Sequence, residues 1–289
     1  MNTYATLEDI LEAVPNKFKS DEIDYQNLFQ RTAERCSRIV DQHCRRLFYP
    51  TAATRYFDGD GTNKLWIPDL ISVTSISYSE NDGETYTALA GTDYYLTAAG
   101  NFNDTRSYTL ILLSVNGDLN LFPIGQRSIK IIGIWGYTDD ISQAFENSQD
   151  TTEDNPLSSG ATSVLVNDSD GLDLLGVSPR LQVGQLLRIE SEYLEVRSIS
   201  HSKNILTVVR GRNGSTAASH VQNTAIEIWR PPAPIREAVK IMVLELVERN
   251  FYDFNEKSFD LKPSERRGQR GINSESRLLL SPYVKAAVG

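Results

Sequence analysis

Helical spacing of apolar residues appears only near the two ends of this chain, and almost everything between them reads as short strands. That segregation constrains the fold more than any other feature. Strands that do not alternate with helices place the chain in the α+β class, outside the βαβα class. At the start, Leu7, Ile10, Leu11 and Val14 fall at helical spacing, with Thr6 as N-cap and Pro15 as stop. A longer helix is expected from about Asp24 to Leu47. Its apolar or small stripe is Tyr25, Leu28, Phe29, Thr32, Cys36, Ile39, Val40, His43 and Leu47. Its other face carries Arg31, Glu34, Arg35, Arg38, Asp41, Gln42 and Arg45, either solvated or in contact with another subunit. Near the far end, Pro234 opens a helix running to about Phe251 on the stripe Ile235, Val239, Met242, Val243, Leu246 and Val247.

Between the helices, strands are expected at Thr54–Phe57, Lys64–Ile67, Val73–Ser79, Thr85–Ala88, Tyr94–Thr97, Thr109–Leu113 and Ile129–Trp135. The run Asp58-Gly59-Asp60-Gly61-Thr62-Asn63 lacks the glycine and glutamate that a helix–loop–helix calcium site requires, so it reads as a plain hairpin turn. Residues 138–156 are acidic and rich in Ser, Thr and Asn, and read as a linker with one helical turn near Ile141–Phe145. A second β-rich stretch follows, with Gly and Asn turns, as in a small barrel or sandwich. The expected organisation is therefore a core of residues 1–137 and 232–256, a linker at 138–156 and an inserted all-β domain at 157–230. A basic extended tail at 257–289 follows.

Charge sharpens this division. The net charge is −9. Residues 257–289 hold seven Lys/Arg against three acids, so the tail carries +4 and the rest −13. A body this acidic is unsuited to gripping nucleic acid, which takes basic patches that displace counterions. It does suit a surface past which DNA slides without sticking. No stretch approaches the ~20 apolar residues of a membrane-spanning helix, and the polar start, Met1 to Asp9, lacks the pattern of a secretory signal. No membrane partner is expected. Cys36 and Cys44 lie about 12 Å apart along the predicted helix, too far for a disulfide, and read as buried thiols.

The search for chemistry yields little. The three histidines, His43, His201 and His220, form no zinc-spaced pair. Nucleophile elbow, phosphate loop and dinucleotide fingerprint are all missing from the sequence. No catalytic residue, cofactor or metal site is expected, and the chain is read as a non-enzyme.

The order of several short motifs carries a resemblance. They run Cys44-Arg45-Arg46-Leu47-Phe48-Tyr49-Pro50, Thr54 to Thr62, Leu65 to Ile76, Gly91 to Leu96, Ile132-Gly133-Ile134-Trp135-Gly136-Tyr137, and Pro234-Ile235-Arg236-Glu237-Ala238. Together they resemble the head–tail connector (adaptor) proteins of tailed bacteriophages over roughly half the chain. Each motif alone is weak, and the order makes the signal. The departure is an insertion of about 90 residues between Tyr137 and Pro231, whose short strands resemble β modules of phage virion proteins. An insertion with close ends costs little closure entropy.

The resemblance implies a virion-neck protein, made in the host cytoplasm. It implies a homo-oligomeric ring of about twelve copies, closed by head-to-tail contacts, and docked between the portal and a downstream stopper, tail-terminator or tail protein. DNA would pass through the ring without specific binding. The tail is expected to reach the portal through Arg266, Arg267, Arg270, Arg277, Leu278, Leu279, Leu280 and Tyr283. Arg31, Arg35, Arg38 and Arg45 are expected at the contact between subunits. Deleting the residues after Asp260 is expected to leave a folded subunit that no longer binds the portal. The competing expectation is a carbohydrate- or protein-binding module of the tail or baseplate, with the inserted β unit as its recognition domain; Tyr193 and Trp229 are its test sites if exposed, and otherwise read as core.

Overall fold

A computed structural model describes residues 3–13, 23–255 and 272–285. Its helices are α1 (Leu7–Ala13), α2 (Ile23–Cys44), α3 (Ala233–Asn255) and α4 (Ser274–Leu280). The first six strands are β1 (Thr51–Gly59), β2 (Lys64–Tyr78), β3 (Thr87–Ala88), β4 (Tyr94–Thr97), β5 (Tyr108–Leu113) and β6 (Gly125–Trp135). The next six are β7 (Phe145–Thr151), β8 (Ser163–Leu165), β9 (Leu186–Ile189), β10 (Glu192–Ser200), β11 (Ile205–Val209) and β12 (Ala225–Trp229). The fold is α+β, with two antiparallel sheets.

The chain forms two compact units. One contains Leu47–Phe145 and Asn213–Ser215; the other contains Met1–Arg46, Glu146–Arg212 and Thr216–Gly289. The helices therefore group with the second sheet, a partition different from the expected one, which set 1–137 and 232–256 apart from 157–230. The cause lies in the N-terminal segment. Leu7 N–H donates to the Val183 carbonyl at 3.1 Å, and the Thr3 hydroxyl donates to that of Gly184 at 3.1 Å.

In the first unit, sheet order is β1-β6-β2-β5-β4, with β3 on β2. The run Ile129, Ile131 and Trp135 on β6 faces inward with Phe57, Ile76 and Leu70. β1 and β2 both pair with β6 and not with each other, so the Asp58–Asn63 turn is not the expected hairpin turn. An apolar central strand gains partners on both edges, and that outweighs the local turn signal. β2 is one long strand through Pro68. Its register shifts between Trp66 and Leu70, where proline supplies no amide hydrogen. Residues 141–144 form a turn and bend, not the expected helical turn. At Gly136, φ is +149°, and a Cβ would lie 2.4 Å from the Tyr49 carbonyl oxygen, so no larger residue fits the Trp-Gly-Tyr corner.

In the second unit, sheet order is β7-β12-β9-β10-β11-β8. Its core is aliphatic: Leu157, Val164, Leu187, Leu194, Val196, Leu206, Ile226 and Ile228 are all buried. β7 lies inside the expected linker 138–156, which is a correction. Polar residues form a strand there because their side chains find partners in the fold. The Ser148 hydroxyl donates to the Ile226 carbonyl at 2.6 Å. The Asp150 carboxylate accepts from the amides of Asn167 and Asp168. Burial raises the Asp150 pKa, and these amides work against that rise.

Among the helices, α3 packs against α2 and α4. α2 buries Phe29, Thr32, Ala33, Cys36, Ser37, Val40, Asp41 and Cys44, a stripe turned slightly from the expected one. Asp41, on the face expected either in solvent or against another subunit, is buried within the chain, because the Tyr4 phenol donates to it at 2.5 Å. α4 folds back within the expected extended tail. Asn273 caps it by accepting from Ser276 N–H at 2.7 Å, and Leu280 and Tyr283 are buried. The 257–289 segment is thus not extended throughout, and deletion after Asp260 would uncover part of α3.

Candidate interaction surfaces and a buried polar knot

The densest polar cluster sits in the second unit, where β10 begins. Glu192 is fully buried, yet its carboxylate accepts five hydrogen bonds. Arg210 supplies a fork, Nε to Oε1 and Nη2 to Oε2, both at 2.6 Å. The amides of Gly211 and Ala218 donate at 3.1 and 3.0 Å. His220 Nε2 lies 2.8 Å from Oε2, and its Nδ1 lies 2.7 Å from Glu190. Burial alone would raise the Glu192 pKa, but the donors outweigh it and hold it down to about 2. Every acceptor position of the carboxylate is taken, so Glu192 fastens the 210–220 loop and has no lone pair left for a substrate. The sequence displayed Arg210 and His220 around glycine turns, but nothing local pairs them with a glutamate 18 and 28 residues earlier.

A second cluster has the residue types of a nucleophile site but a different geometry. The Ser169 hydroxyl lies 3.0 Å from His201 Nδ1 and donates to the Asn204 side-chain oxygen at 3.0 Å. Ser169 is fully buried, and its backbone amide also donates to the Asn204 side-chain oxygen at 3.1 Å, which makes the trio a loop clasp. Among the described residues, no group of three or more His, Cys, Asp or Glu is placed to hold a metal ion. Cys36 and Cys44 are buried and unbridged. Burial pushes their thiols up to about 12 and about 11.

The expected contact residues divide by exposure. Arg31, Arg35 and Arg45 are exposed along and just past α2. Arg38 is turned inward, paired with Asp41 at 3.2 Å and lying over the Tyr4 ring at 5.5 Å. Arg266, Arg267 and Arg270 lie outside the described residues. Arg277 is exposed and Leu278 is 75% exposed, whereas Leu279 is half-buried and Leu280 and Tyr283 are buried. The leucine run is therefore not a free anchor as a whole, because α4 spends part of it on α3. Tyr193 and Trp229, the test sites of the binding-module reading, are both buried, in keeping with the alternative that they are core residues. Their strand positions put them inside the unit, where rings bury most area.

A different set of aromatics is exposed, in the first unit. Trp66 and Tyr95 share a face of its sheet: Lys64 is two residues from Trp66, and Lys64, Leu112 and Tyr95 form one cross-strand row. Trp66 is 63% exposed, and Phe102, equally exposed, packs edge-on against Tyr95 at 5.9 Å. Compared with protein-family models and with curated proteins, the chain matches none.

Proposed function

We propose that this chain is a structural head–tail connector of a tailed bacteriophage, a ring subunit that docks below the portal and lets DNA pass. The observation that carries the reading is the order of elements. A two-helix start, α1 and α2, precedes a sheet whose last strand ends in Trp135-Gly136-Tyr137, and a final long helix, α3, is entered through Pro232 and Pro234. The motifs quoted above fall on these elements in the expected sequence. The second unit's β-rich part is then an inserted small barrel. In support of that, its edge strands approach each other through a bridge between Thr152 and Val166 and a bond from Glu153 N–H to the Leu165 carbonyl at 2.8 Å.

Charge fits the same reading. Arg31, Arg35 and Arg45 offer cations to a neighbouring subunit, while the net charge of −9 keeps DNA from adhering. Arg277 and Leu278 on α4 are the outward groups available to a portal partner.

The test is a cryo-electron-microscopy map of the neck of the intact particle. A closed ring of this chain beneath the portal is the expected result. Density confined to the tail tip or fibres would reject the connector role. It would also favour a second reading, a ligand-binding virion module, which rests on the exposed Trp66, Tyr95 and Phe102. For that module, Trp66→Ala should abolish binding on a glycan array.

A further inference from the structure

The connection from β8 to β9 carries apolar side chains where a loop normally carries polar ones. Leu172, Leu174, Leu175 and Val177 are 57%, 60%, 67% and 42% exposed. Such a cluster on a surface marks an interaction site. The loop is also built to hold its shape. Buried Asp173 accepts from the amides of Leu175 and Val177 at 2.9 and 2.7 Å. Its other oxygen accepts from Arg230, which also pairs with Glu146 at 2.7 Å. At the base, Asp173 N–H donates to the Val177 carbonyl at 2.9 Å, and Arg180 N–H to the Gly171 carbonyl at 3.0 Å. A loop tied this way loses little entropy when it binds.

The same unit contains a receptacle of different shape. A cavity of about 400 Å³ lies beside α3, lined by Ala233, Pro234 and Leu279 with Arg236 at its wall. The Arg236 Nε is buried with no hydrogen-bond partner. The other charges of the lining are engaged: Lys240 pairs with Glu237 at 2.5 Å, and Asp9 accepts from Thr6 N–H at 3.0 Å. The apolar loop complements this cavity, since it brings leucines together with an exposed carboxylate, Asp170.

We infer that the loop 172–177 of one copy seats Leu174 and Leu175 in the α3 cavity of a second copy, with Asp170 pairing with Arg236. Knob and socket are different surfaces, so the contact is head-to-tail and propagates until rotation closes it. The inference deepens the connector reading and rests on it for the need of a closed ring. A lipid surface is the less favoured occupant, because the loop offers no exposed cation to anionic headgroups and the chain is acidic.

The test uses the full chain, with oligomer mass measured by light scattering and native mass spectrometry. Leu174→Asp with Leu175→Asp should fold, since both side chains are exposed, and a thermal melt checks this. Loss of the oligomer in that variant is expected, as is loss in Asp170→Arg and its recovery when Arg236→Asp is added. A Leu175→Cys chain should form a disulfide with a Leu279→Cys chain on oxidation, the native cysteines being buried. An oligomer unchanged by the double aspartate, without that cross-link, overturns the inference and leaves the connector reading standing. A wild-type chain that stays single and never cross-links also overturns it, and the map of the neck then decides the connector role alone. A disulfide in the Leu175→Cys/Leu279→Cys chain without a gain in mass would put the loop on its own chain, against the inference. Sedimentation with phosphatidylcholine vesicles that the double aspartate abolishes would assign the loop to lipid and reject the inference.

Discussion

Single residues in this protein are most informative where burial and charge conflict. Glu192 resolves that conflict with five donors, and the consequence is a large penalty for removing it. Glu192→Ala leaves Arg210 and His220, 5% and 1% exposed, without their carboxylate. The expected loss is about 3–5 kcal/mol, read as a lower denaturant midpoint. The pH dependence has a defined sign. A carboxylate held at about 2 stabilises the fold above its ordinary value of 4.5, and that contribution fades as pH falls toward 2. Wild type should therefore lose stability over this window by more than Glu192→Ala does. The cysteines give a simpler test. With thiols raised to about 12 and about 11 and no exposed surface, Cys36 and Cys44 should not react with a disulfide reagent at pH 8 until the chain is unfolded.

Elements depend on where their ends are fastened. α1 has two capping bonds of its own, Thr6 N–H to the Asp9 carboxylate and Asp9 N–H to the Thr6 hydroxyl, and is too short to stand alone. Its docking on Val183 includes the Glu8 carboxylate, which accepts from Val183 N–H at 3.1 Å. Burial raises the Glu8 pKa to about 7, against the opposing backbone hydrogen bonds. The protonated form is thus the one the fold prefers. That stabilisation is complete below about pH 4.5 and is lost as pH rises through about 7. Hydrogen exchange in residues 3–13, corrected for intrinsic rate, should be faster at pH 8 than at pH 5.5, and Glu8→Gln should flatten the difference. α4 provides the other element-scale prediction. Ending the chain at Asp260 should lower the melting temperature, because it uncovers the surface of α3 that Leu280 and Ser276 cover. A portal-binding test is better made with Leu278→Asp, whose side chain is exposed.

At the scale of the whole molecule, the distribution of charge bears on the proposed ring. Arg31 and Arg35 stand one turn apart on the exposed side of α2. If they join neighbours in a ring, reversing both to Glu should weaken the assembly. The wild-type assembly should itself weaken with salt, as screening shortens the reach of exposed charges. An oligomer mass indifferent to both changes would remove α2 from the contact.

Much of the fold was legible in periodicity. The apolar stripes of α2 and α3, the strands β4, β5 and β6, and the buried state of the two cysteines follow from residue types at 3.6- and 2-residue spacing. Polar sequences that became structure were not legible. β7 read as linker because Ser148 and Asp150 find their partners on β12 and in the 167–168 turn. The Asp58–Asn63 turn read as a hairpin because nothing local announces that β6 will come between β1 and β2. The exposed leucines at 172–177 left no periodic signal, since only the buried Asp173 reveals that the loop is fixed.

The sequence by itself determined the helices α2 and α3, the apolar strands β4, β5 and β6, and the order in which the short motifs stand. These depend on neighbours within a few residues, where sterics and hydrophobic spacing act directly. The tertiary structure alone decided which elements share a core and which charges are buried. It also decided which leucines face outward. Those depend on contacts between residues far apart in the chain, such as Thr3 with Gly184, Glu192 with His220 and Ser148 with Ile226, and no local pattern encodes them.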